Sequence, residues 1–529
     1  MKFLASFWLV IISITSAYAQ IDSVSVYHNR AFEHYNRKDY AGCLFWSKKM
    51  FQTNQSDYRN NYNLYRVAIS ACQVNQPAEA MAYFTELVDE HLHYSMYYNF
   101  ASDSILLTCV RDAEIWKKAI ANTKPGYDSA ETANELYYEG IMDTTRRLNH
   151  SPLLSEQYLA NLFTTKSFDK IYQTLKNYHQ YETPPVSGHW TLYNIRMNDT
   201  LTVPFLVYIP KAYKPGQKTP LYLFLQGAVR GRKQFMVRGN IPVYDSPVLY
   251  KAIEKGAFII YPFARTDVNW LYHPIAFQAI LKEIAFVKSL YNIDDNRVYL
   301  AGHSNGGEGT FYFAINQPTP FASFLALNYF PQSHITNTLL INLTNNRTFY
   351  GVSARKDHIF DFRKVDSIYN YAKGIGCRWQ NYSFDGDHGL AYNNSGQIAF
   401  TYDTLMSAER HPFPGTIKWE TDNVNNGRCD WIEITALDTA ANNHRKTGVI
   451  EAAVKGNEIT IRTSAIKQFS FYVYPELVDI TKPLFFVING KAPRRIQVQK
   501  NKEHLKAAFL DTKDRTLLPV QKITIQVDE

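Results

Sequence analysis

The chain has 529 residues, of which 46% are hydrophobic and 20% charged. That balance excludes a mostly disordered or collagen-like chain, and the length suits about three domains of 100–200 residues. The formal charge of +8 is spread thinly, with no Lys/Arg block, which excludes the electrostatic footprint of a nucleic-acid binder.

The first twenty residues read as a targeting segment. Lys2 precedes an apolar run from Phe3 to Ile14, and Ala17-Tyr18-Ala19 follows before Gln20. A positive start, an apolar stretch and an A-x-A site predict a signal peptide over 1–19. The run falls short of the roughly 20 apolar residues of a membrane span. No Cys follows the cleavage site to carry a lipid. The expected mature chain begins at Gln20, has no membrane span and is periplasmic or extracellular. Cys43, Cys72, Cys109, Cys377 and Cys429 are widely spaced and odd in number, which argues against a disulfide scaffold. Cys43 and Cys72 lie on helical patterns beside Ala and read as small buried hydrophobes. No Cys/His spacing suggests zinc.

From about Val26 to Asn122 the periodicity is helical. Ala31, Tyr35, Asp39-Tyr40 and Cys43 return 37 residues on as Ala68, Cys72, Gln76-Pro77 and Ala80. The period is near the 34 residues or so of a tetratricopeptide repeat, whose small residues let paired helices approach. Residues 20–125 therefore resemble a degenerate tetratricopeptide-like helical domain, and its concave face is a candidate site for a protein partner. A helical connector and linker is expected over 126–185, ending near Thr183-Pro184-Pro185.

The pattern changes after Trp190. Short apolar runs at Val203–Ile209, Leu221–Leu225, Ala257–Tyr261, Val298–Ala301, Thr348–Val352 and Trp379–Phe384 alternate with helical patterns such as Ile275–Leu290. This alternation predicts a mostly parallel sheet with helices on both faces over 186–408. Residues 409–529 change again to short strands divided by turns at Lys455-Gly456-Asn457 and Asn489-Gly490, and read as an all-β sandwich.

The chemistry concentrates at Gly302-His303-Ser304-Asn305-Gly306, between the strand at Val298–Ala301 and a helix from Thr310. A strand that enters a helix through a very tight turn holds its Ser in a strained conformation. The flanking positions then need Gly. Gly302, His303 and Gly306 form this elbow, and Ser304 is the candidate nucleophile. A Ser hydroxyl needs a base, and the base an orienting acid. In the order Ser, acid, His, the chain offers Asp357 and then His388. Asp361, Asp387 and His358 are rivals for these roles. Asp387 is too near His388 in sequence to orient it easily. The amide of Asn305 and the amide of Ala228, after the strand at Leu221–Leu225, are the expected oxyanion donors. Gln226-Gly227 closes that strand. Gln226, Arg265 and Trp270 are candidate substrate contacts. Trp270 reads equally as a loop anchor, Arg265 as a partner of Asp267, and Glu308 as internally bonded. No cofactor or metal is expected.

The run Tyr291-Asn292-Ile293-Asp294 into Arg297-Val298-Tyr299-Leu300-Ala301-Gly302-His303-Ser304-Asn305-Gly306-Gly307, with Val203–Pro210 and Gln226-Gly227, resembles the α/β-hydrolase superfamily. Within it, the stretch is similar to secreted bacterial esterases of the feruloyl-esterase and polyhydroxybutyrate-depolymerase-like groups. The resemblance covers under half of the chain. It implies a serine esterase acting on a small-molecule or polymer-linked ester. Two alternatives stand beside it: a serine peptidase of the prolyl-oligopeptidase type, and a non-catalytic binding or assembly protein.

Overall fold

The computed structural model describes residues 24–53 except 25, 29, 33 and 36, then 56–102, 108–129, 156–229 except 182, 185 and 186, 235, 246–357, 359–389, 402–439 and 446–527. The expected signal peptide, and residues 130–155 of the expected connector, lie outside them. The chain divides into two compact units, Met1–Tyr137 and Tyr138–Glu529.

The first unit is helical: α1 (Tyr40–Phe51), α2 (Asn61–Gln73), α3 (Pro77–Glu90) and the short α4 (Tyr97–Ser102). Asp39 caps α1 and Asn60 caps α2 with side-chain oxygens, and Pro77 opens α3. Leu64, Val67, Ala68, Ala80, Phe84 and Trp116 fill its core. Cys72 corrects an expectation, because it is bonded to Cys109 across 37 residues of chain. Neighbouring Ala residues mark only the helix face, not the segment that folds back onto it.

The second unit holds two apolar cores joined by buried polar contacts. An eight-stranded sheet runs in the order β1-β2-β4-β3-β5-β6-β7-β8. Its strands are β1 (His189–Arg196), β2 (Thr202–Ile209), β3 (Thr219–Leu225), β4 (Phe258–Pro262), β5 (Ile293–His303), β6 (Ser323–Leu327), β7 (Thr348–Ala354) and β8 (Trp379–Phe384). Pairs β1/β2 and β2/β4 are antiparallel, and the rest are parallel. Along β3, Leu221, Leu223 and Leu225 enter one apolar layer, while Tyr222 and Phe224 enter the other. A strand buried on both sides reads as a continuous apolar run. Helices cover both faces. The layer with Leu221 holds residues of α8 (Pro274–Leu290) and α9 (Asn305–Asn316), and the other holds Leu249 and Ala252 of α7 (Ser246–Glu254).

The second core combines a four-stranded and a five-stranded sheet. The expected all-β sandwich needs correction. The helix α11 (Lys502–Thr512) buries Leu505 and Phe509 there. So do two helices from the expected connector, α5 (Glu156–Thr165) and α6 (Phe168–Lys176), through Leu159, Phe163, Ile171 and Leu175. These connector helices are amphipathic pieces whose apolar faces are covered by a domain that starts more than 200 residues later.

Candidate active site

Three loops at the carboxyl ends of β5, β7 and β8 bring the predicted triad together, as sites in open parallel sheets generally sit. Ser304 follows β5 and begins α9 with φ 56° and ψ −122°. This is a strained conformation for a side chain with a Cβ. Its N–H donates to Leu327 O at 2.9 Å. The turn closes only with glycine on both sides: a Cβ on Gly306 would collide with the Leu225 carbonyl, and one on Gly302 with the Gly306 carbonyl. The turn brings Ser304 Oγ to His388 and places the positive end of α9 at the same point.

His388 Nε2 lies 3.0 Å from Ser304 Oγ, and His388 Nδ1 lies 2.8 Å from Asp357 Oδ2. Asp357 is 6% exposed. Its other oxygen accepts the N–H groups of Ile359 and Phe360 at 2.7 and 3.0 Å. Burial alone would push this carboxyl up. The His388 hydrogen bond and charge, with those two amides, outweigh burial and hold it below the usual aspartate value. The rival acids are occupied elsewhere. Asp361 caps α10 (Phe362–Gly374) and pairs with Arg363. Asp387 accepts the Gly389 N–H at 2.8 Å. His358 lies outside the described residues.

The loop after β3 lies against Ser304. A Cβ on Gly227 would stand 2.8 Å from Ser304 Cβ, so only glycine lets the loop approach this closely. Ala228 follows with φ 56°. Gln226 is buried, accepting from Tyr261 Oη at its side chain and from Trp270 Nε1 at its carbonyl, at 3.2 and 3.1 Å. Trp270 is 2% exposed, so the structure places it as a loop anchor and not as an open stacking surface. Arg265 forms an ion pair with Asp267 at 2.7 Å. The Asn305 side chain donates to Glu308 at 3.1 Å, and His334 stands 3.4 Å from the same carboxylate.

One residue at the site has no counterpart in the sequence reading. Asn328, just past β6, is buried and has φ 44°. An Asn is among the residues that tolerate this left-handed conformation, but nothing else around it in the sequence marks it. Among the described residues, one group of metal-ligating type gathers, Glu86, Glu90 and His91 in the first unit. Glu86 is committed to a two-pronged pair with Arg59.

No protein-family model matches the chain, and no curated protein matches it. Solved structures that resemble part of it include a thermostable esterase, at 20% identity and TM-score 0.34, covering 42% of this chain and 63% of that one. A ferulic acid esterase is similar at 14% identity and TM-score 0.32, covering 42% of this chain and 97% of that one. An acylaminoacyl peptidase from Pyrococcus horikoshii is similar at 16% identity and TM-score 0.32, covering 46% of this chain and 43% of that one.

Proposed function

We propose that the chain is an exported serine hydrolase that cleaves carboxylic esters through an acyl-enzyme. The observation that carries this reading is the continuous contact from Ser304 Oγ to His388 Nε2 at 3.0 Å and from His388 Nδ1 to Asp357 Oδ2 at 2.8 Å. Ser304 attacks the ester carbonyl while its proton passes to Nε2. The new C–O bond leaves a tetrahedral oxyanion, which the amides of Asn305 and Ala228 receive. The anionic Asp357 stabilises the imidazolium and fixes its tautomer. The imidazolium protonates the leaving alcohol as the C–O bond to it breaks. The same base then takes a proton from water, which attacks the acyl-serine and releases the acid.

The ester reading is favoured over the peptidase reading by what precedes the sheet. Prolyl-oligopeptidase-type chains usually carry a β-propeller there, whereas the described part of the first unit is helical. The Cys72–Cys109 bond supports export, since such bonds persist in oxidising compartments. Among the described residues no helix is long and apolar enough to cross a membrane. The first unit carries one to two degenerate tetratricopeptide-like repeats in this reading. The 37-residue offset is supported by Lys38 and Asn75, both left-handed at φ 60° and 58°, and by buried Ala31, Cys43, Ala68 and Ala80. Its partner would be a protein segment.

The test is turnover of p-nitrophenyl acetate by wild type and Ser304→Ala. The expected result is hydrolysis that falls by at least about 10³-fold in the variant. Equal turnover would remove Ser304 from the mechanism. Parallel assays with a dipeptide amide separate esterase from peptidase.

A further inference from the structure

The base of the triad sits on an irregular loop, yet it must hold its ring between two partners at hydrogen-bond distance. Ring placement in such a loop depends on what fixes its backbone. Two side chains at the carboxyl ends of β5 and β6 do this. His303 Nε2 donates to the His388 carbonyl at 2.8 Å. Asn328 Nδ2 donates to the same carbonyl at 3.0 Å and to the Asp387 carbonyl at 3.2 Å. Asn328 Oδ1 accepts the Ala354 N–H at 2.9 Å, at the end of the strand that leads to Asp357. The Asn328 backbone N–H donates to Val352 O at 2.8 Å. The carbonyl just before it, of Leu327, accepts the Ser304 N–H at 2.9 Å. The pair Leu327-Asn328 therefore touches all three arms of the triad.

We infer that Asn328 and His303 are positioning residues that clamp the His388 carbonyl and so set the imidazole between Ser304 and Asp357. The inference rests on the serine-hydrolase reading. It also explains why a non-glycine residue occupies a left-handed position. Glycine would adopt φ 44° without strain but would leave the two loop carbonyls and the Ala354 amide without this partner. An Asp would keep the acceptor for Ala354 and turn an oxygen toward two carbonyls. His303 in turn gains a function beyond its place in the nucleophile turn.

The test compares wild type with His303→Phe, His303→Gln and Asn328→Asp. Readouts are kcat and KM for p-nitrophenyl acetate, the rate of covalent labelling by a fluorophosphonate, and the melting temperature. His303→Phe keeps a ring of similar size and removes the donor. The expected result is a loss of about 10- to 100-fold in both kcat and labelling rate, the size expected of a misplacement of about 1 Å, with KM little changed. His303→Gln restores an N–H and is expected to recover most of the loss, at an unchanged melting temperature. Asn328→Asp should lose more than His303→Phe. Wild-type labelling and kcat in both His303→Phe and Asn328→Asp would overturn the clamp and leave the triad standing. So would a loss in His303→Phe that His303→Gln does not recover. A wild-type protein that fails to label at all would overturn the hydrolase reading, and the clamp with it.

Discussion

Ser304, His388 and Asp357 were legible in the sequence because each carries a local mark: a glycine-flanked turn, a His after the last strand, an Asp after a late one. Asn328 was not, because its role lies in bonds to loop residues 59 and 60 positions away and in a backbone angle. Glu283 on α8 is equally silent. It is fully buried, and among the described residues neither of its carboxylate oxygens has a hydrogen-bond partner. Burial pushes this carboxyl well above its ordinary value. The folded chain keeps a proton that the unfolded chain gives up above the ordinary glutamate range. Its contribution to stability is therefore present at low pH and lost as pH rises toward the folded-state value. The variant Glu283→Met removes the ionisable group at similar volume. Denaturant titrations should find it more stable than wild type at pH 8. The gap should shrink as the pH falls toward 5. A gap that does not change with pH would contradict the assignment.

At the scale of elements, the strands of the eight-stranded sheet with the clearest marks were short apolar runs closed by Pro or Gly. β6 (SFLAL) was missed because five buried residues show no period that separates strand from helix. The helix α11 was missed for a related reason: only Leu505 and Phe509 of its eleven residues are buried, too few to show a stripe. Helices α5 and α6 were legible as helices but not as parts of the C-terminal core, since amphipathic faces do not name their partner. Ile171 and Leu175 of α6 are fully buried in the core that holds Trp419 and Trp431. Truncation there creates a cavity among residues of distant sequence. Ile171→Ala should cost about 2–5 kcal/mol in the unfolding of the second unit, read by tryptophan fluorescence in denaturant. A change under about 0.5 kcal/mol would mean that α6 does not belong to that core.

Across the second unit, buried ion pairs join residues on either side of the boundary expected at residue 409. Lys288 bonds Asp295 at 2.9 Å and Asp514 at 3.1 Å, and Arg410 bonds Asp514 at 2.8 Å. Arg515 reaches back to Asp295 at 3.0 Å and to the Tyr178 carbonyl at 3.0 Å. Arg347 grips Asp430 with both terminal nitrogens. All of these side chains are at most 5% exposed. Burial alone would raise the Asp514 carboxyl, but Arg410 and Lys288 hold it far below the usual aspartate value. Removing one member of such a network leaves the others charged and buried, at a cost of about 3–5 kcal/mol. Asp514→Asn should therefore lower the melting temperature of the second unit as one cooperative transition, measured by calorimetry. If the C-terminal core melts alone while ester turnover persists, the two cores are independent.

The serine-hydrolase proposal meets its sharpest test in one covalent experiment: reaction of the whole protein with a fluorophosphonate, followed by peptide mass spectrometry. It predicts a single adduct on Ser304, absent in Ser304→Ala and strongly slowed in His388→Ala. No adduct, or equal labelling of Ser304→Ala at another residue, would contradict it.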